Sequence, residues 1–310
     1  MGKATREAYG NALAKIGKEN SNIIVLDADL SKSTKTDTFK KECPERFFNV
    51  GIAEQNLISV GAGLAAAGKI PFVSSFAMFA TGRAFEQIRN AVCYPKLNVK
   101  VCATHAGITV GEDGATHQSL EDIACMRVLP NMTVIVPADE KETEAVITWA
   151  ANYNGPVYVR LGRAGVDDVT ADDYTFVPGK SNQLKDGSDV TIIACGALVG
   201  LAVEASKQLE AEGISARVIN MASIKPIDSE AIIKAAKETG AIVTAEEHNV
   251  LGGLGSAVSE VVVANKPVPM EFVGVQDTFG ESGTPKELME KYGLTANDIV
   301  MAAKKVVTRK

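Results

Sequence analysis

Residues 46–117 read RFFNVGIAEQNLISVGAGLAAAGKIPFVSSFAMFATGRAFEQIRNAVCYPKLNVKVCATHAGITVGEDGATH, and this stretch decides the fold and the candidate chemistry. Within it, residues 49–68 carry one acid, Glu54. After Gln55 and Asn56 the positions are apolar or small on every side, which predicts a buried helix rather than a surface helix. A carboxylate at the start of such a helix costs free energy unless it has a partner.

Two interpretations of Glu54 follow from the residues. The helix dipole favours an acid in the first turn, with Asn49 as a distant N-cap, and taken alone the pattern favours this structural role. The functional interpretation is that a desolvated Glu has a raised pKa and can share a proton with a ring nitrogen of a bound heterocycle.

A second feature is a pair of phenylalanines at the end of a predicted strand. The apolar run at residues 70–73 ends in Ser74 and Ser75, and a helical pattern then carries Phe76 and Phe79. Three-residue spacing places both rings on one face of a helix. The two rings either pack in the core or line a flat apolar slot for a planar ring.

A third feature is a polar loop, THAGITVGEDGATHQ at residues 104–118, which follows a predicted buried strand at residues 98–103. In a parallel α/β sheet, loops at the carboxyl ends of strands build the functional site. This loop carries His105 and His117, two of the 3 histidines in the chain, and two acids that include Asp113. The combination favours a functional site over a purely structural loop.

In this order and spacing, GIAEQN (51–56), SSFAMF (74–79) and GEDGATHQ (111–118) resemble the pyrimidine-binding domain of thiamine diphosphate enzymes. The GEDGATHQ form is similar to transketolase in particular. The resemblance implies that Glu54 hydrogen-bonds N1′ of the cofactor's aminopyrimidine and favours its imino tautomer. The ring nitrogen then removes the thiazolium C2 proton, while the protein supplies geometry and dielectric.

The same resemblance implies further contacts to the cofactor and to the donor sugar. Phe76 and Phe79 would flank the pyrimidine, and Asp29, in the turn after the strand IIVLD, would lie beside the cofactor. His117 would face the C1 and C2 oxygens of the donor and act in catalysis. Asp113 would hold a donor hydroxyl.

Positions similar to the phosphate-binding residues of transketolases complete the implied substrate site: Arg6, Ser33, His105 and Arg163. The guanidinium fork of arginine suits bidentate binding of phosphate, although an arginine near the start of a helix is usually a solvated charge. Arg160 is an alternative to Arg163, which we prefer because it lies past the end of a predicted strand.

The chain departs from the family pattern in two places. Transketolases commonly have a Tyr three residues after the second Phe, where this chain has Gly82, so either the aromatic wall is thinner or another side chain fills it. Thiamine enzymes also bind the diphosphate through Mg²⁺ with a GDG motif, and none occurs here. The resemblance therefore implies that the diphosphate and Mg²⁺ are bound by a separate polypeptide, an N-terminal transketolase subunit. We expect no metal ligand in this chain and an α2β2 heterotetramer, in which each site lies between the two chain types.

Alternation of strand and helix patterns predicts an α/β fold with two mainly parallel-sheet, three-layer domains. We expect a thiamine diphosphate pyrimidine-binding domain at 1–166, a linker with a small hairpin at 167–188, and a transketolase C-terminal domain at 189–310. The run LGGLGS at 251–256 is weak evidence for a nucleotide site, because no acid follows at the Rossmann distance, and tight helix packing explains it better. His248 is expected to be a structural or interface histidine.

Composition narrows the class of protein. A length of 310 residues suits about two domains, and a net charge of −6 argues against general nucleic-acid binding. The N-terminus lacks the apolar core of a signal peptide, and no apolar run reaches the length of a membrane span. The 5 cysteines are scattered and mostly in apolar runs, which suggests reduced, buried thiols in a cytoplasm.

The expected function is that of a ketol transferase, a split transketolase subunit of the cytoplasmic pentose phosphate pathway. With its partner and thiamine diphosphate it would move a two-carbon unit from a ketose phosphate to an aldose phosphate. Three alternatives remain: a 1-deoxyxylulose-5-phosphate synthase-like protein, a β subunit of a 2-oxoacid dehydrogenase, and a non-catalytic assembly subunit.

Overall fold

Two β-sheets covered by helices organise residues 2–310, the part of the chain that the computed structural model describes. The strands are β1 (Ile23–Asp27), β2 (Phe47–Asn49), β3 (Ile70–Ser74), β4 (Lys100–Ala103), β5 (Thr133–Ile135), β6 (Val157–Arg160), β7 (Asn182–Lys185), β8 (Val190–Ala194), β9 (Ala216–Asn220), β10 (Ser223–Lys225), β11 (Ile242–Asn249) and β12 (Met270–Val275).

The α-helices alternate with the strands in most of the chain. They are α1 (Thr5–Glu19), α2 (Ser31–Thr34), α3 (Asp37–Glu42), α4 (Glu54–Ala66), α5 (Phe85–Gln87), α6 (Asp122–Arg127), α7 (Glu140–Asn152), α8 (Leu198–Ala211), α9 (Ser229–Thr239), α10 (Leu254–Asn265), α11 (Pro285–Lys291) and α12 (Ala296–Val307). Short 3₁₀ segments span Pro44–Arg46 and Ile108–Asp113, and π-helical segments span Met78–Arg83 and Ile88–Cys93.

Both sheets are mainly parallel, so the predicted α/β fold class is confirmed. The first sheet has the strand order β10-β5-β6-β4-β3-β1-β2, and the second has the order β12-β11-β8-β9-β7. Among the strands of residues 2–310, only β10 and β7 run antiparallel to their neighbours. Central strands such as β1, β4, β6 and β8 are buried along their whole length, as expected when helices cover both faces of a sheet.

The predicted linker, residues 167–188, contains no hairpin, and that part of the prediction is wrong. Its last residues form β7, which pairs antiparallel with β9 at the edge of the second sheet. The polar, glycine-containing sequence around β7 resembles a turn. Its pairing partner, Ala216–Asn220, lies some way along the chain, and local sequence does not reveal it.

The strand β10 belongs to the first sheet although it follows β9 of the second sheet. Ser223 is in register with Ile135 of β5, and Lys225 with Val134. The Lys225 ammonium also donates to the carbonyl oxygens of Arg127 and Leu129. The second half of the chain therefore completes the edge of the first sheet and ties the two domains together.

The helix that begins at Glu54 is not buried on all sides, which corrects the expectation from its composition. Leu57, Ile58 and Ala62 lie in the core, but Val60 is 38% exposed and the preceding Ile52 is 78% exposed. Small and apolar residues allow another element to pack closely on a helix face. They do not show whether this chain provides that element, and here one face of α4 remains exposed to solvent.

A buried group of charges lies where the two domains meet. The Arg160 guanidinium donates to both carboxylate oxygens of Asp122, at 2.7 and 3.1 Å, and the Tyr158 hydroxyl donates to the same carboxylate at 2.7 Å. Arg160 also donates to the backbone oxygen of Glu247 at 2.8 Å. Burial tends to raise the pKa of Asp122, but Arg160 holds it below its ordinary value.

Two further structural findings bear on the sequence analysis. No helix within residues 2–310 is long and apolar enough to cross a membrane. The cysteines are unbonded: Cys43, Cys93, Cys102 and Cys195 are buried, and Cys125 is half-buried. The expectation that most of the thiols are buried is therefore confirmed.

We expect Asp122→Ala to lower the free energy of unfolding by about 3–5 kcal/mol, because it leaves the Arg160 charge buried and unpaired. Urea unfolding monitored by circular dichroism measures this change. Asp172→Ala is the matched control: it removes an ion pair with Lys141, but the Asp172 side chain is 94% exposed. The control should change stability by less than about 1 kcal/mol. Equal losses in both variants would contradict the role of the buried pair.

Candidate active site

Glu54 is the first residue of α4, and its side chain is 1% exposed. Its carboxylate accepts a hydrogen bond from Arg83 at 2.7 Å, and the Arg83 guanidinium lies 4.9 Å from the centre of the Phe79 ring. The buried acid therefore has the partner that its position demands. Asn49 is not an N-cap of this helix, because α4 has no side-chain cap and Ala53 occupies the cap position.

Two phenylalanines and two histidines form what we call the aromatic–histidine cluster: Phe76, Phe79, His105 and His117. The Phe76 ring stacks on His105 at 3.8 Å between centroids, and it lies 6.0 Å from Phe79 at an angle of 18°. His117 meets the Phe79 ring edge-on at 5.2 Å. The expectation that both rings share a face is confirmed. Phe79 lies in a π-helical segment, a form often found at functional sites.

His105 holds its place through two hydrogen bonds and an uncommon backbone conformation. Its φ is +58°, a left-handed value that few non-glycine residues adopt. Arg6 Nη1 lies 3.3 Å from Nε2 and Thr104 Oγ1 lies 2.8 Å from Nδ1. Because arginine can only donate, Nε2 accepts, and we assign the ring proton to Nδ1. Burial, followed by the charges of Arg6 and Arg163, lowers the pKa of His105 to about 3.

The cationic side of the cluster is built by two arginines from opposite ends of the first domain. Arg6 Nη1 donates to the backbone oxygen of Ser33 at 2.9 Å, and Arg6 Nε is buried without a hydrogen-bond partner among the described residues. Arg163 donates to the Val110 oxygen and, at 2.9 Å, to Glu112. The Arg163 charge is close enough to act on both Arg6 and His105.

The turn after β1 holds Asp29 at the surface. Asp29 has a φ of +65°, and Asn49 secures it by accepting from its backbone N–H at 3.0 Å and donating to its carboxylate at 2.8 Å. Beneath it, the buried Asp27 carboxylate accepts from Leu30 N and the Thr34 hydroxyl. Burial raises the pKa of Asp27. Hydrogen bonds of this kind favour one turn conformation.

The loop that carries Asp113 and His117 turns at two glycines. Gly111 and Gly114 have φ values of +82° and +75°, which glycine adopts without strain. Asp113 is exposed at the end of the 3₁₀ segment. His117 is half-buried, and its Nδ1 lies 2.9 Å from the Thr116 hydroxyl.

The structure thus joins most of the predicted site residues through a continuous set of contacts, which includes Glu54, Phe76, Phe79, His105, His117, Arg6 and Ser33. Arg163 contacts Val110 and Glu112 instead, and its charge acts on Arg6 and His105. Asp29 is held instead by Asn49, and Asp113 lies on the exposed part of its loop. Arg160, the alternative to Arg163, is committed to Asp122.

Sequence reasoning missed the residues that orient the predicted ones. Arg83, which pairs with Glu54, had no local signal, because the two residues are far apart in sequence and meet only in the fold. Thr104 and Thr116 each precede a histidine and bond its Nδ1, so a hydroxyl directly before each histidine was a usable signal. Asn49, predicted as a cap of α4, instead orients Asp29.

Another side chain occupies the space beside Gly82. A Cβ atom built on Gly82 would lie 2.6 Å from the terminal methyl carbon of Met78. Met78 is therefore the side chain nearest to the position where transketolases commonly have an aromatic residue.

The glycine-rich run at 251–256 serves helix packing, as expected. The Glu246 carboxylate accepts from the backbone N–H groups of Leu254 and Gly255 at 2.7 and 2.8 Å, and therefore occupies the start of α10. A Cβ on Gly253 would lie 2.1 Å from that carboxylate. His248 is fully buried and accepts from the N–H of Ala124 at 3.4 Å across the domain boundary, so it is an interface histidine.

A cavity of about 960 Å³ lies between the domains, and it is distinct from the aromatic–histidine cluster. Its walls include Leu161, Gly196, Leu201 and Met289, and they do not include Glu54 or the rings of the cluster. We take the cluster as the candidate active site because paired and titratable groups converge there, whereas the cavity is lined mainly by apolar atoms.

Two family models match the sequence, and between them they account for most of the chain. The model described as transketolase, pyrimidine binding domain, matches residues 1–167. The model described as transketolase, C-terminal domain, matches residues 179–299.

Individual relatives match over nearly their whole length. A 6-deoxy-6-sulfo-D-fructose transketolase subunit from Clostridium sp. (strain MSTE9) is 44% identical, covering 98% of this chain and 95% of the relative. An apulose-4-phosphate transketolase subunit from Phocaeicola vulgatus is 41% identical, covering 99% and 98%. A solved structure described as a split gene transketolase, inactive beta4 tetramer, is 61% identical, covers 100% of both chains and has a TM-score of 0.94.

We expect His105 to remain neutral from pH 8 down to about pH 4, because burial and its arginine neighbours lower its pKa to about 3. An unfolded His takes up a proton near pH 6.5, so the unfolded chain binds more protons between about pH 6.5 and 3. The contribution of His105 to stability therefore falls as the pH decreases through this window. NMR titration of the imidazole and urea unfolding at pH 7.5 and 5 check both points.

His105→Asn is the matched variant for this experiment, since asparagine tolerates a left-handed backbone and does not titrate. The stability difference between the wild type and this variant should change by about 2 kcal/mol between pH 7.5 and 5. An imidazole that titrates near pH 6.5 in the folded protein would contradict the assignment.

Proposed function

The chain belongs to the transketolase family, and from this premise we propose that it supplies the pyrimidine and sugar-phosphate half of a split transketolase. With a separate subunit and thiamine diphosphate, it would transfer a two-carbon ketol unit from a ketose phosphate to an aldose phosphate. The observation that carries this proposal is the buried, paired Glu54 carboxylate beside the aromatic–histidine cluster.

The residues present fit the heterocyclic part of the cofactor. Glu54 offers a carboxylate that is removed from water and oriented by Arg83, and Phe76 and Phe79 offer flat apolar faces. Ser75 Oγ, next to Phe76, is buried without a partner among the described residues and can hydrogen-bond a polar ring substituent. When bound, thiamine diphosphate supplies the nucleophilic carbon and the electron sink that carbon–carbon cleavage needs. Glu54 holds and shares the proton at the ring nitrogen.

The charged side of the cluster fits a sugar phosphate. Arg6 and Arg163 provide guanidinium groups that bind phosphate through charge-assisted hydrogen bonds, and Ser33 lies against Arg6. The Nδ1–H tautomer of His105 leaves Nε2 as an acceptor for Arg6, which aligns the guanidinium. The net charge of the chain is negative, so binding of an anion depends on these local cations.

His117 and Asp113 are suited to the hydroxyl and carbonyl groups of the donor. The Thr116 hydroxyl bonds Nδ1 of His117, which presents Nε2 as the nitrogen for the C1 and C2 oxygens. That nitrogen can stabilise the oxygen on which negative charge develops and return a proton to it. Asp113, exposed on the same loop, would accept from a donor hydroxyl, and Asp29 would lie beside the cofactor.

We further propose that the diphosphate and Mg²⁺ are held by the second subunit and that the assembly is an α2β2 heterotetramer in the cytoplasmic pentose phosphate pathway. Exposed apolar side chains close to Glu54 in sequence, Phe48, Ile52 and Val60, support a contact with that subunit. Two relatives are described as transketolase subunits, and the related β4 tetramer is described as inactive. We propose residues 1–166 and 189–310 as the two functional domains.

Glu54→Ala should lower ketol transfer by about 10²- to 10⁴-fold, because it removes the acid that shares the proton of the cofactor ring. The assay uses the chain reconstituted with its partner, thiamine diphosphate and Mg²⁺, with xylulose 5-phosphate and, separately, pyruvate as donor. Circular dichroism verifies the fold. Glu210→Ala, which changes an exposed acid of the second domain, is the control. Substantial turnover by Glu54→Ala would refute the role of Glu54, and a preference for pyruvate would refute the reaction.

Arg163→Ala should raise the KM for xylulose 5-phosphate by about 10- to 100-fold, the effect of losing one charge-assisted hydrogen bond to phosphate. The KM for hydroxypyruvate, a donor without phosphate, should change little. Lys32→Ala, which removes an exposed cation next to Ser33, is the control and should leave both constants unchanged. An equal rise for both donors would place Arg163 outside the phosphate site.

A further inference from the structure

We propose that Glu247 of the second domain is a positioning residue for the site loop, residues 104–118, and that this domain sets the spacing of His105 and His117. The proposal rests on the proposed function. It assigns a role in the site to the second domain, which contains none of the predicted site residues.

Glu247 reaches the site loop directly. It lies near the end of β11 with 4% of its surface exposed, and its carboxylate accepts the backbone N–H of Thr109 at 2.6 Å. The backbone oxygen of Glu247 accepts from Arg160 at 2.8 Å. Both the backbone and the side chain of Glu247 are therefore fixed by hydrogen bonds. The side-chain carboxylate accepts from one buried amide of the loop.

The loop is shaped around this carboxylate. A Cβ atom on Gly107 would lie 2.3 Å from Glu247 Oε1, and Gly107 has a φ of +87°. Two residues earlier His105 also has a left-handed backbone, with a φ of +58°. At a non-glycine residue such as His105, a conformation of this kind persists only when the surroundings hold it. The Thr109 hydrogen bond is one contact by which the second domain fixes this loop.

A second segment of the same domain, residues 281–285, holds the other end of the site loop. Gln118, the neighbour of His117, donates to the Glu281 backbone oxygen at 2.9 Å. A Cβ on Gly114 would lie 2.6 Å from the Ser282 hydroxyl. Glu247 thus contacts the loop near His105, and residues 281–285 contact it near His117. Both histidines belong to the first domain, whereas both contacts come from the second.

Amide hydrogen exchange on the isolated chain tests the contact without catalysis. Glu247→Ala leaves a buried N–H without its acceptor, so the amides of residues 105–118 should exchange about tenfold faster or more. Glu246→Ala is the matched control. Its carboxylate also accepts buried N–H groups, those of Leu254 and Gly255, but these lie within the second domain. It should loosen α10 and leave the site loop unchanged.

Kinetics of the reconstituted enzyme test the consequence. Glu247→Ala should raise the KM for xylulose 5-phosphate about tenfold. The affinity for thiamine diphosphate should change less, because Glu54, Phe76 and Phe79 all lie outside the loop. Glu247→Gln keeps an oxygen acceptor for Thr109 and should restore most of the loss. If Glu247→Ala fails to fold, Glu247→Asp keeps the charge but withdraws the acceptor, and it should show the same faster exchange.

Equal loosening of the site loop by the Glu246 and Glu247 variants would overturn the proposal, as would an unchanged KM in Glu247→Ala. The two measurements also separate this proposal from the proposed function. If the reconstituted wild type transfers no ketol unit, the function fails, while the exchange experiment still decides whether Glu247 holds the loop.

Discussion

One guanidinium, that of Arg160, joins the two halves of this molecule. It is buried, it pairs with both oxygens of Asp122 in its own domain, and it donates to the Glu247 backbone in the other domain. A charge taken out of water is tolerated only when its hydrogen-bonding groups are all satisfied, so the relative placement of the domains is tied to this arrangement. The end of β11 is thereby fixed against the loop that follows β4.

One loop of the candidate active site, residues 104–118, contacts the second domain at Glu247 and Glu281. The groups of the site come from the carboxyl ends of parallel strands in the first sheet, where loops from different strands meet. Two of the residues there, Asp29 and His105, have left-handed backbones, and each is held by specific hydrogen bonds. Strain at such positions is stabilised by the surrounding structure, and the second domain contacts the loop that carries His105.

The electrostatics of the site follow from burial. Glu54 is removed from water and balanced by Arg83, while His105 is kept neutral by burial and by two arginines. A neutral imidazole between cations leaves positive charge available for an anion, which suits a sugar phosphate. Glu54 begins α4, one face of which is exposed, and this is the side where we place the second subunit.

Sequence alone determined the elements and the residue types of the site. Apolar residues mark buried strands in the sequence itself, so β1, β4 and β8 were predictable from their apolar runs. Motifs such as GIAEQN and GEDGATHQ identified the family because they are contiguous in sequence. The Thr–His pairs were also within reach of sequence reasoning.

Only the tertiary structure decided which distant groups meet. The pairing of β7 with β9, the entry of β10 into the first sheet and the Arg83–Glu54 ion pair join segments whose own sequences carry no sign of the partner. The exposed face of α4 could not be predicted either. Composition shows that a helix face can be buried, but it does not show whether another element packs against that face. Contacts of this kind arise from the packing of whole elements, which no local pattern encodes.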